Sequence, residues 1–383
     1  MNSGGRLRIA IVGSGLAGLA AARVLREKHA VTVYERGTAS VATGGQGTIA
    51  TPNSVKILEP LGFDHKRVRS VQCTGYRSFD KDGNVIKDNE INLKERYGAD
   101  RFMHLRSDYR DELLRLATAP SAELGVEGEP AKMVFETAVT SINPDTGIFE
   151  LGDGGSGEAD LIVVADGIHS YLRHHIVGTH ACRAQLTGMS CFRFAASRAA
   201  ALAALDNHLP EYFDPHRGEG RFTLIEANDG SSRVIAAYPC RDFEFVNITC
   251  AFPTRTSIED TVSSCVNLWE LQDLEPLPTW TRGRGRAGDA AHAMTPLQGQ
   301  GANMATEDAD GLRLLAEPWV TAADVPAILK RWEGMRKPRT TRVLYDTRQV
   351  GRDIPPEERF KNMDFNYGHG GTYEALKEAE GKE

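Results

Sequence analysis

Three glycines near the start of the chain have the spacing of a dinucleotide-binding turn. Gly13, Gly15 and Gly18 form the pattern G-x-G-x-x-G within RIAIVGSGLAGLAAARVL. Gly13 permits a tight turn, Gly15 leaves room for a pyrophosphate, and Gly18 lets the following helix pack closely on the sheet. The pyrophosphate would then face free N–H groups and the positive end of the helix dipole. Leu16 and Ala17, in the first turn of that helix, share the predicted contact.

An acidic residue completes the unit around these glycines. Residues 8–12 are predicted to form a buried strand, residues 16–28 a helix and residues 31–35 a second strand that ends at Glu35. A carboxylate in this place can accept hydrogen bonds from ribose hydroxyl groups. Arg36 follows directly and is assigned to the same site. The sequence therefore predicts dinucleotide binding, and the alternative is a glycine-rich turn that only packs closely.

A second glycine-rich stretch lies far along the chain from the first. The segment RGRAGDAAHAMTPLQGQGANM covers residues 284–304 and places Gly299 and Gly301 at the start of a predicted helix. Pro296 fixes one backbone angle and shapes the loop, so that the N–H groups of residues 299–303 can point in one direction. Such a helix start can stabilise negative charge on a ligand.

Composition argues against several classes of protein. The 383 residues carry a net charge of −7 and contain no Lys/Arg run, which argues against binding to nucleic acid. No stretch approaches the ~18 apolar residues that a membrane span needs. The six cysteines form no C-x-x-C pair, so we expect free thiols in a reducing compartment, a cytoplasmic protein and no metal site. A monomer or a homodimer is expected.

The pattern of predicted elements indicates an α/β fold with two domains. Apolar residues 161–165 are typical of a strand buried on both faces, whereas residues 185–252 are rich in aromatic and β-branched residues separated by turns. We expect three parts: a Rossmann-like domain from residues 1–70, 101–180 and 281–345, a mostly antiparallel β-sheet domain from residues 71–100 and 181–280, and a partly ordered tail from residues 346–383.

Two helix boundaries are predicted from local signals. A helix over residues 322–337 is expected to end near Pro338, because proline disrupts the interior of a helix. Asp108 is predicted to cap an amphipathic helix that reaches residue 117.

Separated motifs agree with one known family. They are GSGLAG at residues 13–18, HLRSDYRDEL at 104–113, ADG at 165–167 and GDAAHAMTPLQGQGAN at 288–303. In these motifs the chain resembles the single-component FAD-dependent aromatic hydroxylases, the family of salicylate hydroxylase and para-hydroxybenzoate hydroxylase, over about residues 6–345. The resemblance implies an FAD-binding Rossmann-like domain of the glutathione reductase type, with an inserted β-sheet domain for the substrate.

The resemblance also implies roles in FAD binding. Asp289 would accept hydrogen bonds from ribityl hydroxyls, and the alternative is an N-cap for the next helix. The helix start after Gly299 would face the N1–C2=O edge of the flavin and stabilise its anionic reduced form. Asp166, with Arg173 nearby, is linked to FAD and pyridine nucleotide, and the alternative is an ordinary turn. The other residues assigned to FAD are Gly47, Arg106, Ala302 and Asn303.

Two polar residues of the predicted second sheet stand where aliphatic residues would be expected. Arg193 lies in CFRF and Tyr238 in AAYPC, and both resemble positions that orient a phenolate in the family. An arginine beside a phenol lowers the pKa of the phenol, and a tyrosine can hold the same oxygen by a hydrogen bond. The alternatives are a surface arginine and a buried tyrosine bonded to the backbone. His292 is interpreted as a structural side chain of the flavin-site turn.

The resemblance predicts an FAD-dependent monooxygenase. NADPH or NADH would reduce FAD, O2 would form the flavin C4a-hydroperoxide, and its distal oxygen would pass to a phenolic or related electron-rich aromatic molecule. Only one dinucleotide fingerprint is present, so the reductant would bind without a Rossmann domain of its own. The alternatives are an epoxidase or dearomatising oxygenase, a flavin reductase or halogenase on the same scaffold, an NAD-dependent dehydrogenase, and a flavin-carrying protein without turnover.

Overall fold

The computed structural model describes residues 5–40, 46–180, 182–214, 216, 219–254, 267–350 and 356–380. The strands of this part of the chain are β1 (Arg8–Val12), β2 (Ala30–Tyr34), β3 (Gly47–Ala50), β4 (Val71–Gln72), β5 (Gly75–Phe79), β6 (Val85–Glu90), β7 (Phe102–Leu105), β8 (Lys132–Val134), β9 (Val139–Asn143), β10 (Ile148–Leu151), β11 (Ser156–Glu158), β12 (Leu161–Val164), β13 (Gln185–Ser197), β14 (Arg221–Glu226), β15 (Val234–Cys240), β16 (Phe245–Pro253), β17 (Asn267–Asp273), β18 (Thr281–Arg282) and β19 (Gly285–Ala287).

The α-helices of the same part are α1 (Leu16–Leu25), α2 (Pro52–Leu58), α3 (Leu93–Tyr97), α4 (Arg106–Thr118), α5 (Ser121–Leu124), α6 (Arg173–Val177), α7 (Arg198–Ala204), α8 (Gly301–Gly311), α9 (Val325–Arg348), α10 (Pro356–Tyr367) and α11 (Thr372–Glu380). Short 3-10 turns cover Glu211–Phe213, Asp289–Ala291, Pro296–Gln298 and Leu312–Ala316.

A six-stranded sheet has β1 near its middle. The strand order is β18-β19-β12-β1-β2-β8, and all pairs are parallel except β18 with β19. All four residues of β12 are buried, as its continuous apolar run predicts. Because the strands are parallel, the loops that follow β1, β12 and β19 lie at the same edge of the sheet.

The two faces of β1 reach two different apolar clusters, because side chains alternate along a strand. Ile9 and Ile11 pack into the larger cluster, which includes residues of α1, α4, α8 and α9. Ala10 and Val12 face the second cluster, in which the ring of Trp280 is buried. Burial on both faces explains why this short segment carries no polar residue between Arg8 and the glycine turn.

A seven-stranded sheet forms the second layer of structure. Its order is β17-β13-β16-β15-β14-β5-β6, and all pairs are antiparallel except β14 with β5. The hairpin of β5 and β6 thus joins a sheet whose other strands come from residues 185–273. The predicted fold class, a Rossmann-like α/β part with an inserted and mostly antiparallel sheet, is confirmed. The domain boundaries given above stay a prediction.

Helix α9 runs through Pro338 to Arg348, so the prediction that it ends near the proline is wrong. An interior proline costs about 3 kcal/mol, since it removes one backbone hydrogen bond and crowds the carbonyl four residues earlier. Arg336 and Arg339, on either side of it, form buried ion pairs with Glu307 of α8. We infer that these contacts outweigh the local preference of proline.

The end of the chain also differs from the prediction of a partly ordered tail, because it forms α10 and α11. Leu376 of α11 is 1% exposed and belongs to the larger apolar cluster. In α10, the ring of Tyr367 contacts that of Tyr97 with centroids 5.4 Å apart. Residues 351–355 and 381–383 lie outside the described part of the chain.

Asp108 does not cap α4, and that prediction is wrong. Leu105 holds the N-cap position, and no side chain caps the helix. The Asp108 carboxylate instead accepts a hydrogen bond of 2.9 Å from Nε of Arg241, in the loop after β15. An ion pair with the second sheet therefore takes the place of the cap.

Candidate cofactor and substrate site

One cavity of about 1630 Å³ is lined by residues of both sheets and of the loops after β1, β12 and β19. Ligands of open α/β sheets bind at this edge. Most of the residues selected from the sequence line it: Gly13, Gly15, Leu16, Ala17, Glu35, Arg36, Gly47, Arg106, Asp166, Arg193, Tyr238, Pro296, Gly299, Gly301 and Ala302. Gly18 and Asn303 are not among the residues that line it, and the side chain of Asp289 lies outside the described part of the structure.

The three glycines of the first turn differ in the space that surrounds them. Gly13 has a φ of 104°, and a Cβ there would lie 2.4 Å from the carbonyl oxygen of Ala165. A Cβ on Gly18 would lie 2.0 Å from the carbonyl oxygen of Gly13, so this glycine permits close packing of helix on turn. At Gly15 an added Cβ would meet no atom within 4 Å. Gly15 therefore opens onto the cavity, and it is the N-cap of α1 without a side-chain cap.

Glu35 is held by hydrogen bonds at the end of β2. Its Oε2 accepts from both the N–H and the hydroxyl of Ser14 at 2.8 Å, and its Oε1 accepts from the N–H of Gly37 at 2.8 Å. Burial raises the pKa of Glu35, but these hydrogen bonds and the nearby Arg110 outweigh it, so the net pKa is lowered. The carboxylate is therefore ionised, and three hydrogen bonds fix its orientation at the end of β2.

The second glycine turn opens a second helix onto the same cavity. Pro296 begins a 3-10 turn, Gly299 follows it with a φ of 65°, and α8 starts at Gly301. The N-cap residue Gln300 makes no side-chain cap, and the first turn contains no acidic residue. The N–H groups at this helix start are thus available for an electronegative ligand atom.

The side chain of Asn303 connects this turn to residues 49 and 51 by hydrogen bonds. The side chain is fully buried, and its Oδ1 accepts from the N–H of Thr51 at 2.9 Å. Its Nδ2 donates to the carbonyl oxygens of Ile49 at 3.1 Å and Gly299 at 2.7 Å. All these bonds are within the protein, so the structure places the Asn303 side chain as a support of the loop.

Asp166 and Arg173 stand on either side of the loop after β12. Oδ2 of Asp166 accepts from the N–H of Tyr171 at 3.1 Å, whereas Oδ1 is buried with no partner among the described residues. Arg173 is 2% exposed and donates to backbone carbonyls, including that of Ile168 at 2.8 Å and that of Cys182 at 3.2 Å. Arg173 therefore shapes the loop, and Asp166 faces the cavity.

Gly47 begins β3, and Arg106 begins α4 directly after β7, the strand that pairs with β3. Gly47 pairs with Leu105, and the N–H of Arg106 donates to the carbonyl of Gln46 at 2.8 Å. A Cβ on Gly47 would lie 2.4 Å from the hydroxyl oxygen of Tyr238. This close approach requires a glycine and brings β3 against the seven-stranded sheet.

Arg193 and Tyr238 share one face of the seven-stranded sheet. Arg193 pairs with Thr249 of β16, and Tyr238 pairs with Asn247, two residues away on the same strand. Nη2 of Arg193 lies 3.5 Å from the carbonyl oxygen of Gly47, and its Nε is buried without a partner among the described residues. Burial raises the pKa of Tyr238, so its hydroxyl is protonated and can donate a hydrogen bond.

Several residues of the cavity wall carry no signal in the sequence. Tyr76, Phe222 and Arg101 line it next to Tyr238, and Asn366 and Tyr367 reach it from α10. They come from a hairpin, a strand, a short loop and a C-terminal helix that are far apart along the chain. Only the pairing of β5 with β14, which no local pattern predicts, brings the first two together.

A buried ion network supports α8 beneath the second glycine turn. Asp308 accepts from Nε2 of His292 at 2.7 Å and from Nε of Arg336 at 2.8 Å, and Glu307 accepts from Nε of Arg339 at 2.7 Å. His292 is 4% exposed and does not line the cavity. The structure therefore places His292 as part of the support for the loop, away from the ligand space.

The charge of Glu307 is expected to make stability depend on pH. Burial raises the pKa of Glu307, but Arg336 and Arg339 outweigh it and lower the pKa to about 2. Because the pKa of Glu307 is lower in the folded protein than in the unfolded chain, the ionised carboxylate stabilises the fold. This stabilisation is complete above pH ~4.5 and is lost as the pH falls toward ~2. Glu307→Gln should remove roughly 3 kcal/mol at neutral pH and flatten this part of the profile.

Thermal unfolding midpoints measured between neutral and acidic pH test this expectation. Glu270→Gln, on the exposed part of β17, is the control and should keep the pH dependence of the parent protein. An unchanged acid-side slope in Glu307→Gln would show that the buried pairs do not couple folding to protonation.

Neither a membrane span nor a metal centre is found in the part of the chain that the structure describes. No helix there combines the length and apolar character that crossing a bilayer requires. No group of three or more His, Cys, Asp or Glu side chains there has a metal-binding arrangement.

Two protein-family models match this chain. Residues 7–187 match a family described as pyridine nucleotide-disulphide oxidoreductase, and residues 279–347 match one described as FAD binding domain. The first match contains the turn around Gly15, and the second contains the turn around Gly299. Both glycine turns of the cavity therefore lie within matched family sequence.

Known proteins similar to the full length of the chain are monooxygenases. The 3-amino-4-hydroxybenzoate 2-monooxygenase of Streptomyces platensis is 31% identical, over 94% of this chain and 92% of that protein. The 6-hydroxynicotinate 3-monooxygenase of Bordetella bronchiseptica is 27% identical, over 98% of each chain. A salicylate hydroxylase substrate complex matches with a TM-score of 0.68 and 23% identity, over 94% of this chain and 92% of that one, which indicates a shared fold.

The relationship with known proteins agrees with the resemblance seen in the sequence. A relative more than 30% identical over nearly the whole chain, together with an FAD-binding family match, confirms the predicted family and FAD as its cofactor. This protein belongs to the FAD-dependent aromatic monooxygenases.

Proposed function

We propose that the protein uses NADPH or NADH and O2 to hydroxylate a phenolic or related electron-rich aromatic molecule. One observation carries the proposal. Two helix starts without side-chain caps, at α1 and α8, open onto the cavity that is also lined by Arg193 and Tyr238 of the second sheet. A dinucleotide held at both helix starts and an aromatic ring on the second sheet would therefore share one enclosed space.

The residues at the cavity fit FAD. Gly15 leaves open space at the start of α1 for a pyrophosphate, and Glu35 offers an ionised carboxylate for ribose hydroxyls. The start of α8 offers N–H groups for the electronegative edge of the flavin ring, and the buried Oδ1 of Asp166 is an acceptor still to be satisfied. When bound, FAD supplies electron transfer from NAD(P)H and the activation of O2.

Arg193 and Tyr238 are proposed to hold the phenol oxygen of the substrate. The guanidinium of Arg193 would stabilise the phenolate, lower the pKa of the phenol and make the ring more electron-rich. Tyr238, protonated because burial raises its pKa, would donate a hydrogen bond to the same oxygen. The two side chains share a sheet face, which fixes their relative positions.

Three further parts of the proposal concern the setting of the enzyme. NADPH or NADH is proposed to reach the flavin within the same cavity, since the sequence holds a single dinucleotide fingerprint. A cytoplasmic monomer or homodimer is proposed, and the free thiols support a reducing compartment. They are Cys73, Cys182, Cys191, Cys240 and Cys250, whereas Cys265 lies outside the described residues.

The experiment that tests this function is a substrate screen on the purified holoenzyme. We expect a yellow protein whose oxidation of NADH or NADPH is accelerated by selected phenols, with one atom of isotopically heavy O2 incorporated into the product. A product without heavy oxygen would indicate a reductase or halogenase. A protein that neither carries nor takes up FAD would contradict the proposal as a whole.

A further inference from the structure

The side-chain amide of Asn366, near the end of α10, is only partly satisfied by the protein. Asn366 is 3% exposed and lines the cavity. Its Nδ2 donates to Oε1 of Gln298 at 3.2 Å, whereas its Oδ1 is buried with no partner among the described residues. A buried amide oxygen without a hydrogen bond is unfavourable. This oxygen is therefore suited to a hydrogen-bond donor that the described residues do not supply.

The backbone around Asn366 is held in place by charged side chains of other elements. The carbonyl oxygen of Asn366 accepts from Nη2 of Arg339 at 3.2 Å, and that of Tyr367 accepts from Nζ of Lys56 at 3.0 Å. Arg339 is itself paired with Glu307 of α8. Because this backbone is already fixed, a ligand bound by the amide of Asn366 pays little for ordering it.

Gln298 connects the amide of Asn366 to the second glycine turn. Gln298 ends the 3-10 turn that precedes α8, and it also lines the cavity. Leu297, its neighbour in that turn, packs against the apolar cluster that includes Cys191. Cys191 and Arg193 lie on the same face of β13, because they are two residues apart, and both line the cavity. The turn that holds the amide of Asn366 therefore packs beside the part of β13 that carries Arg193.

We propose that Asn366, oriented by Gln298, accepts a hydrogen bond from a second donor group on the aromatic ring whose phenol oxygen is held by Arg193 and Tyr238. This inference rests on the proposed function, and it narrows the substrate class to phenols that carry another hydroxyl or an amino group. Asn366 is then a specificity-determining residue, because a ring without the second donor leaves the amide oxygen unpaired. The N–H groups of FAD are the other source of a donor in this cavity, and titration with FAD distinguishes the two.

Binding of catechol, resorcinol and hydroquinone to the FAD-loaded enzyme tests the inference, with the flavin absorbance change as the readout. Each is compared with the fluorophenol in which fluorine replaces the second hydroxyl, so that the pair differs in one hydrogen-bond donor. At least one of the three should bind about 5- to 30-fold more tightly than its fluorophenol. Asn366→Ala should reduce this ratio to below about twofold, and Asn366→Asp, which keeps an acceptor oxygen, should preserve part of it.

Lys361→Ala is the matched control on the same helix, because Lys361 is exposed and pairs with Glu358. It should keep the ratio of the unaltered enzyme. Gln298→Ala provides a second variant if Asn366→Ala does not fold, since it removes the partner that orients the amide and should lower the ratio with FAD retained. An unchanged ratio in either folded variant overturns the inference.

Other outcomes separate the two sources of the donor, and this inference from the proposed function. If Asn366→Ala weakens FAD binding at least about tenfold and leaves the ratio unchanged, the donor belongs to the flavin and the substrate assignment is overturned. No preference for any of the three dihydroxybenzenes, or no binding of them at millimolar concentration, also overturns it, even if other phenols are hydroxylated. A donor preference that Asn366→Ala removes, without any NAD(P)H oxidation, supports the inference and contradicts the proposed hydroxylation.

Discussion

Replacing Gly15 with glutamate is expected to abolish FAD binding and leave the fold intact. A side chain at this position would enter open space at the start of α1, where no atom lies within 4 Å. A carboxylate there would occupy the place of the pyrophosphate and repel it, so affinity for FAD should fall by at least about 100-fold. Absorbance of the bound flavin and titration of the FAD-free protein with FAD measure the effect.

Gly334→Glu is the matched control for this substitution. Gly334 lies on the exposed side of α9, and a Cβ there would also meet no atom within 4 Å. The control protein should stay yellow and keep the stabilisation of about 2–4 kcal/mol that excess FAD gives. Full FAD occupancy in Gly15→Glu would contradict the assignment of α1 as the phosphate-binding helix.

Arg193→Ala is expected to separate the reduction of the flavin from hydroxylation of the substrate. Without the guanidinium the phenolate loses its stabilising charge, so the ring is less electron-rich and less well positioned. The yield of hydroxylated product per NAD(P)H consumed should fall about tenfold, and hydrogen peroxide should take its place. Simultaneous measurement of NAD(P)H, product and peroxide gives the result.

Arg198→Ala serves as the comparison for this variant. Arg198 begins α7 at the end of β13 and is paired with Asp214 at 2.9 Å, and it does not line the cavity. Its removal should leave the coupling of NAD(P)H oxidation to product unchanged. Unaltered product yield in Arg193→Ala would refute the proposed role of that residue.

The elements up to Tyr34 follow from local sequence. Strand β1 begins and ends as predicted, because apolar residues 9–12 must be covered on both faces and Gly13 ends the strand by its positive φ. Helix α1 ends at Leu25, three residues earlier than predicted. Strand β12 was recognisable for the same reason as β1, since a short, wholly apolar run fits burial on both faces.

The elements that the sequence did not predict depend on contacts between distant parts of the chain. Helix α9 continues past Pro338 because its arginines pair with α8, and those partners lie some thirty residues away. Helix α11 is ordered because Leu376 packs into the main core. Local signals at a proline or in a charged tail contain no information about such partners.

The candidate site likewise contains residues that the sequence predicted and residues that it did not. The glycine turns could be located because a close approach of backbone to ligand restricts the residue type, which leaves a pattern in the sequence. Arg101 and Tyr76 could not be located from the sequence. An arginine before a strand is common, and only the pairing of β5 with β14 brings Phe222 against the guanidinium of Arg101. Arg193 was visible only because it interrupts an apolar strand.

The strand order of the central sheet also bears on how the cofactor is acquired during synthesis. Strand β1 emerges from the ribosome early, but its neighbour β12 ends at Val164 and the start of α8 at Gly301 is translated much later. Until residue 301 is translated, a nascent chain therefore carries only one of the two helix starts proposed to bind FAD. FAD is expected to be captured only after that point, and products that terminate before residue 301 should be released without it.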